Sequence, residues 1–255
     1  MWIILAGDHQ QLPPFSKTES PPATSTGLSL FEHIYTDGGV FEDIGLQLRT
    51  QYRMHRDISY FPNREFYDRS LQTGVSIQSI ADREPIVGYN IGGTEQPAGT
   101  SFINSEEASL VATLVSRIRD DGIPAKEIGV ITPYAAQATH IQDILADADQ
   151  IDAHNSITVD TIDAFQGSER TVILISFVRS NADGEIGFLA RPSDGPRRLN
   201  VAMTRAQRLC ALIGDWATLR EASEQAESVD HYAELFSYLR DTNRLREVDP
   251  AFLPV

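Results

Sequence analysis

The run Thr171-Val172-Ile173-Leu174-Ile175-Ser176-Phe177-Val178 decides the fold class. It is apolar without alternation, so the strand it predicts is buried on both faces, as in a parallel sheet covered by helices on each side. The neighbouring stretches keep that rhythm. Upstream, Ile128 to Thr132 and Ile157 to Val159 read as strands separated by a helix over Ala135 to Ala146. Downstream, Arg197 to Ala206 reads as a helix and Leu209 to Ile213 as a strand, with closing helices over Trp216 to Gln225 and Asp230 to Arg240. Earlier in the chain Ser105 is the expected cap of a helix with the apolar stripe Leu110, Val111, Leu114, Val115 and Ile118, and Gly122 stops it. Leu71 to Pro97, interrupted by Gly74, Gly88, Gly92 and Gly93, reads as irregular. Trp2 to Ala6 reads as a short buried strand, Leu28 to Ile34 as a short helix, Leu46 to Leu48 as a strand, and His55 to Phe61 as a helix stopping near Pro62. The whole is α/β: a mostly parallel sheet with helices on both faces. In such a sheet ligand chemistry sits at the carboxyl ends of the strands.

Composition narrows the function classes. At 255 residues, 41% apolar and 22% charged, the chain has the makings of one well-buried core and is short for two full domains. No apolar run reaches the roughly 18 residues of a membrane span. The single cysteine, Cys210, excludes a disulfide framework and a multi-cysteine zinc site, so a cytoplasmic location is expected. The net charge is −15, and of the 21 cations only Lys17 and Lys126 are lysines. The mean field repels phosphates, so nucleic-acid binding requires basic residues gathered in one groove.

Polar clusters follow several of the predicted strands. Gly7-Asp8-His9-Gln10-Gln11-Leu12-Pro13-Pro14 offers a carboxylate and carboxamides that either sense a terminal phosphate and its water or simply form a turn held by Asp8. In Leu48-Arg49-Thr50-Gln51-Tyr52-Arg53-Met54-His55, Arg53 presents a planar guanidinium suited to phosphate and Tyr52 a ring suited to base stacking. The alternative is a helix start with a buried tyrosine and a surface arginine. Within Thr158 to Glu169, hydroxyl, carboxylate and amide groups gather beside Gly167, which permits close backbone approach. On the helix predicted after Pro196, Arg198 and Arg205 share nearly one face, turned either to an anion or to surface acids.

These clusters resemble, in order, motifs III to VI of superfamily 1 helicases of the Upf-like group, which includes RNA-surveillance and Okazaki-processing enzymes. The matching residues are Gly7 to Pro13, Gln51-Tyr52-Arg53-Met54-His55, Thr161-Ile162-Asp163-Ala164-Phe165-Gln166-Gly167-Ser168-Glu169, and Arg197 to Ala206. Val130-Ile131-Thr132-Pro133-Tyr134 and Ser176-Phe177-Val178-Arg179-Ser180-Asn181 look like the same group. The resemblance implies a RecA-like P-loop NTPase fold, with residues 1–39 a remnant of the first motor domain (motif III strand and linker) and residues 40–255 the second RecA-like helicase domain. It implies an ATP-dependent 5′-to-3′ DNA or RNA helicase in which Gln11, Arg53 and Arg205 are catalytic. Gln11 would sense the γ-phosphate and its water, Tyr52 would stack on adenine, and Arg53 and Arg205 would reach the γ-phosphate. Gly167 and Glu169 would lie near the nucleotide, Glu169 on the ribose. Thr132, Tyr134 and Thr161 would contact the nucleic-acid backbone, which positions a strand without reading sequence. ATP and Mg2+ are implied for the complete enzyme, neither held strongly by this chain alone. The implied partners are single-stranded DNA or RNA and an N-terminal helicase half in cis or trans, with no membrane.

The sequence departs from that family in one respect. No G-x-x-x-x-G-K-[ST] occurs, since Lys17 follows Phe15-Ser16 and Lys126 follows Pro124-Ala125, and the acidic pair that holds magnesium is also absent. The chain is therefore expected to be inactive alone and to contain no metal ligands. Arg53 and Arg205 are expected to converge on one surface, and the Trp2 to Ala6 strand to expose apolar surface and unpaired edges. The alternative function is a non-catalytic interaction module that binds a partner helicase half or a single strand.

Overall fold

The computed structural model describes residues 4–13, 46–148, 156–191, 194–221, 231–249 and 251. Its centre is a six-stranded sheet of β3 (Ile86–Asn90), β6 (Ile128–Thr132), β7 (Thr158–Thr161), β8 (Arg170–Ser176), β9 (Ala206–Gly214) and β10 (Leu245–Glu247). The strand order is β10-β3-β9-β8-β6-β7 and every neighbouring pair is parallel. Strand β8 accounts for the layers. Ile173 and Ile175 face one core with Phe61, Leu199, Met203, Trp216 and Leu239, while Val172 and Leu174 face the other with Leu114, Ile118, Ile141 and Leu145. A strand apolar at every position is what this two-sided burial requires.

The first core is covered by α1 (Arg56–Phe66), α5 (Gly195–Met203), α6 (Trp216–Glu221) and α7 (His231–Asp241), the second by α2 (Ser105–Asp120) and α3 (Ala135–Asp147). A single turn, α4 (Ile162–Phe165), follows β7. Two small ribbons stand outside the sheet: a parallel pair, β1 (Thr50–Gln51) with β2 (Gln72–Thr73), and an antiparallel pair, β4 (Gln96–Ala98) with β5 (Ser101–Ile103).

Several elements differ from the sequence expectation. The stretch read as irregular contains β3, which lies between β9 and β10. Its Gly88 hides it from a hydrophobicity reading and lets Leu239 and Leu245 pack close, since a Cβ there would stand 2.7 Å and 3.0 Å from their terminal methyls. Pro62 lies inside α1 instead of ending it, since Ile58, Phe61, Pro62 and Phe66 are all buried and their packing outweighs the lost backbone donor. Asn104, not Ser105, caps α2, its Oδ1 accepting the Glu107 N–H at 3.0 Å. The helix expected to reach Ala206 ends at Met203, and β9 begins at Ala206.

Leu46 to Leu48 form no strand, and pairing starts at Thr50. Ile4 to Ala6 likewise form no strand, and Ile4 is 93% exposed, so the described part of the expected first strand is neither paired nor buried. Trp2, Ile3 and the expected helix over Leu28 to Ile34 lie outside the described residues.

At Gly195 the start of α5 presses on the preceding 3-10 turn, where a Cβ would fall 2.0 Å from the Leu189 carbonyl oxygen. Gly195→Ala is expected to cost about 1–3 kcal/mol through overpacking. Thermal unfolding checks this, and an unchanged Tm contradicts the contact.

Candidate functional site

Residues distant in sequence meet at the loops beside β8 and β9. Arg205, in the turn between α5 and β9, is only 3% exposed. Its Nε donates to the Val201 carbonyl at 3.1 Å, Nη1 to the Ser168 carbonyl at 3.2 Å and Nη2 to Gln11 Oε1 at 3.1 Å. Burial, and then the like charge of Arg53, hold its pKa below the usual arginine value. Arg53 forms an ion pair with Glu169 through Nε and donates from Nη1 to the Thr204 carbonyl at 3.1 Å. Burial opposes the charge on Glu169, yet the Arg53 pair and a 3.0 Å bond from Gln207 Nε2 keep its pKa below the usual carboxylate range. The Arg53 and Glu169 side chains are 35% and 44% exposed, and an ion pair that wet adds little to stability.

Gln11 is tied to this group through Asp8. Gln11 Nε2 donates to Asp8 Oδ2 at 2.8 Å, and the Tyr67 hydroxyl donates to the same oxygen at 2.7 Å. Asn200 Nδ2 on α5 donates to the Tyr67 hydroxyl and to the Gln10 carbonyl, both at 2.9 Å. Asp8 Oδ1 also accepts the Gln10 N–H at 3.0 Å, so Asp8 holds its own turn while anchoring Gln11. Burial, then the Asp8 charge, push the Tyr67 phenol well above its usual pKa.

Arg53 and Arg205 thus converge, with a difference from expectation. Arg205 is folded into the body of the domain, whereas Arg53 and Glu169 face solvent. Arg205 lies beyond the end of α5, so it and Arg198 do not share a helix face; Arg198 points to Asp163 at 3.5 Å and Asp194 at 3.7 Å and lies over the Phe188 ring, its side chain only 16% exposed. Tyr52 is 69% exposed at the end of β1, not buried. Gly167 is exposed with φ +88° and open space around its Cα, a backbone conformation that suits glycine.

Thr132 and Thr161 end β6 and β7 as register partners. Thr132 is fully buried, and its hydroxyl accepts the Tyr134 N–H at 3.5 Å. Tyr134 is 5% exposed, edge-on between Phe102 and Phe188, with its hydroxyl accepting from Arg179 at 3.3 Å. Both side chains are therefore interior. Thr161 is partly exposed and caps α4 by accepting the Ala164 N–H at 3.4 Å.

Tyr67 carried no sequence signal of this role, and Asn200 carried only its place inside the fourth cluster. Cys210 is fully buried in β9, and burial pushes its thiol up to about 12. Among the described residues, no group of three or more His, Cys, Asp and Glu side chains is arranged to hold a metal ion, and no helix is long and apolar enough to cross a membrane.

The arginine cluster lies at the amino ends of β8 and β9, not at the carboxyl ends where the sequence expectation put ligand chemistry, because the turns after α4 and α5 bring Glu169 and Arg205 to the edge where those strands begin. The profile of the AAA domain family matches residues 26–217, and the chain belongs to that family, in its superfamily 1, Upf1-like helicase branch. It is 35% identical over 227 residues to the regulator of nonsense transcripts 1 homolog of Neurospora crassa, covering 84% of this chain and 20% of that protein. It is 35% identical over 246 residues to the ATP-dependent helicase NAM7 of Saccharomyces cerevisiae, covering 91% of this chain and 24% of that protein. The chain therefore spans about a quarter or less of the length of these relatives. The C-terminal domain of a possible DNA helicase from Lactobacillus plantarum resembles it with a TM-score of 0.43 at 12% identity, over 64% of this chain and 87% of that one.

Proposed function

We propose that this chain is the second RecA-like domain of an ATP-dependent 5′-to-3′ helicase acting on single-stranded DNA or RNA. Residues 40–255 form that domain, and residues 1–39 belong with the first. The observation that carries this reading is the meeting of Gln11, Arg53, Glu169 and Arg205, drawn from four distant segments, beside an exposed Tyr52. Arg53 and Arg205 are the charge stabilisers for the γ-phosphate, Gln11 its sensor, Tyr52 the adenine platform, and Glu169 with the open Gly167 turn the ribose side. Thr161 supplies a partly exposed hydroxyl on the nucleic-acid side, while Thr132 and Tyr134 shape the neighbouring strand end from beneath. The phosphate-cradling lysine and the acidic Mg2+ pair come from another segment, in cis or in trans, because this sequence contains neither. The cytoplasm is the proposed location.

The test is ATP turnover in the presence of a single strand, measured on the chain alone and after mixing with a polypeptide that carries the glycine-lysine loop and the acidic pair. Negligible turnover alone and clear turnover in the mixture are expected. Rapid turnover by the purified chain alone overturns the reading. A second reading, a non-catalytic module binding a helicase half or a single strand, draws support from the exposed Ile4, Leu46 and Leu48. Binding to that half with no turnover in the mixture is its signature.

A further inference from the structure

We infer that Gln51 and Gly74 are positioning residues that hold the Tyr52-Arg53 turn ready for a purine nucleoside triphosphate, an inference that rests on the proposed roles of Tyr52 and Arg53. The side-chain amide of Gln51 is used to its full capacity. Its Oε1 accepts the N–H of Arg53 at 3.0 Å and of Met54 at 2.8 Å. Its Nε2 donates to the Met54 carbonyl and to Thr73 Oγ1, both at 2.9 Å. Two donors and two acceptors are all that a carboxamide offers. One side chain therefore closes the turn that carries Tyr52 and Arg53 and ties it to β2.

Gly74 follows β2 and donates its N–H to the Gln51 carbonyl at 2.9 Å. A Cβ at position 74 would stand 2.5 Å from Tyr52 Cε1 and 2.5 Å from Thr50 Cγ2. The phenol ring thus lies against bare backbone, with one side backed and the ring still 69% exposed. A ring held against backbone in this way is partly ordered before a planar base arrives, and that ordering removes part of the entropy cost of stacking. The two residues act on different parts of the ligand. Gly74 governs the ring alone, whereas Gln51 governs the ring and, through the Arg53 backbone, the guanidinium.

That division sets the test, made by NMR titration with ATP and with ADP on the full chain mixed with the polypeptide that carries the glycine-lysine loop and the acidic pair. Gly74→Val is expected to weaken both nucleotides alike, by about ten-fold. Gln51→Ala is expected to weaken both and to lower ATP affinity by about a further ten-fold relative to ADP. Amide hydrogen exchange at Arg53 and Met54 is expected to accelerate in Gln51→Ala and not in Gly74→Val. Both positions lie in a ribbon outside the two cores, and unchanged spectra elsewhere verify the fold. Retained protection of both amides in Gln51→Ala, or an unchanged ATP-to-ADP ratio, overturns the inference. Tyr52→Ala and Arg53→Ala separate the two levels. If they weaken ATP binding while Gln51→Ala and Gly74→Val do not, only the positioning role fails. If they leave it unaltered, the nucleotide reading fails and takes the inference with it.

Discussion

Arg205→Ala is expected to lower the unfolding free energy of this chain by about 2–4 kcal/mol and to reduce ATP turnover in the mixed assay by about a thousand-fold or more. The stability loss follows from burial. With 3% exposure, the guanidinium satisfies the carbonyls of Val201 and Ser168 and the Gln11 amide oxygen. Water does not freely replace a donor at such depth, so removal leaves acceptors unpaired from segments otherwise far apart. Lysine is no remedy, because one ammonium cannot reproduce the planar fork. Arg53→Ala provides the contrast. Its side chain is 35% exposed and its pair with Glu169 is wet, so stability is expected to change by less than about 1 kcal/mol while turnover falls comparably. Urea unfolding and the mixed turnover assay measure the two quantities. Equal stability losses in the two variants would contradict the burial argument.

Glu107 is expected to make the stability of the fold decrease as pH rises from about 4.5 to about 8, and Glu107→Gln to remove that decrease. The residue lies in the first turn of α2 and is completely buried. Ser176 Oγ lies 2.6 Å from Oε2, and the Val178 N–H approaches both carboxyl oxygens at 3.0 Å. Val178 has φ +77°, an uncommon backbone for a β-branched residue, and Asn104 Nδ2 holds its carbonyl at 3.2 Å. Gln137 joins the group by donating to Ser176 Oγ at 3.1 Å.

Complete burial is the main reason the Glu107 carboxyl is pushed up to about 8, with the Asp215 charge acting in the same direction. In the unfolded chain it releases its proton near 4.5, whereas in the fold it keeps the proton until about 8. Between those values the native state binds more protons than the unfolded state. The contribution is therefore complete at low pH and lost as pH rises through the window, at about 1.4 kcal/mol per unit at most. Glutamine keeps an oxygen for the Val178 N–H and offers a donor to Ser176 Oγ. It is expected to be close to neutral at pH 5 and more stable than the natural residue at pH 9 by on the order of a few kcal/mol. Alanine leaves those partners unmet over a cavity and is expected to cost about 3 kcal/mol at pH 5. Tm measured from pH 5 to pH 9 decides the matter, and parallel profiles for the natural chain and for Glu107→Gln would refute it.

The sequence by itself determined the α/β class. An unbroken apolar strand such as Thr171 to Ser176 can be solvated on neither face, so helices must cover both, and that demand is local. The four helicase clusters were likewise legible, because each is a contiguous run in the sequence. Strand β3 was not legible: Gly88 thins its hydrophobic signal, and only Leu239 and Leu245 packing against that glycine explain it. Tertiary structure alone decided that Arg205 turns inward to Gln11, that Arg198 turns to acids, that Thr132 and Tyr134 are interior, and that Tyr67 and Asn200 hold Asp8. The physical reason is that periodicity along a chain reports which face of an element is apolar. Which polar group meets which depends on contacts between segments up to 194 residues apart, and these exist only once the elements have packed together.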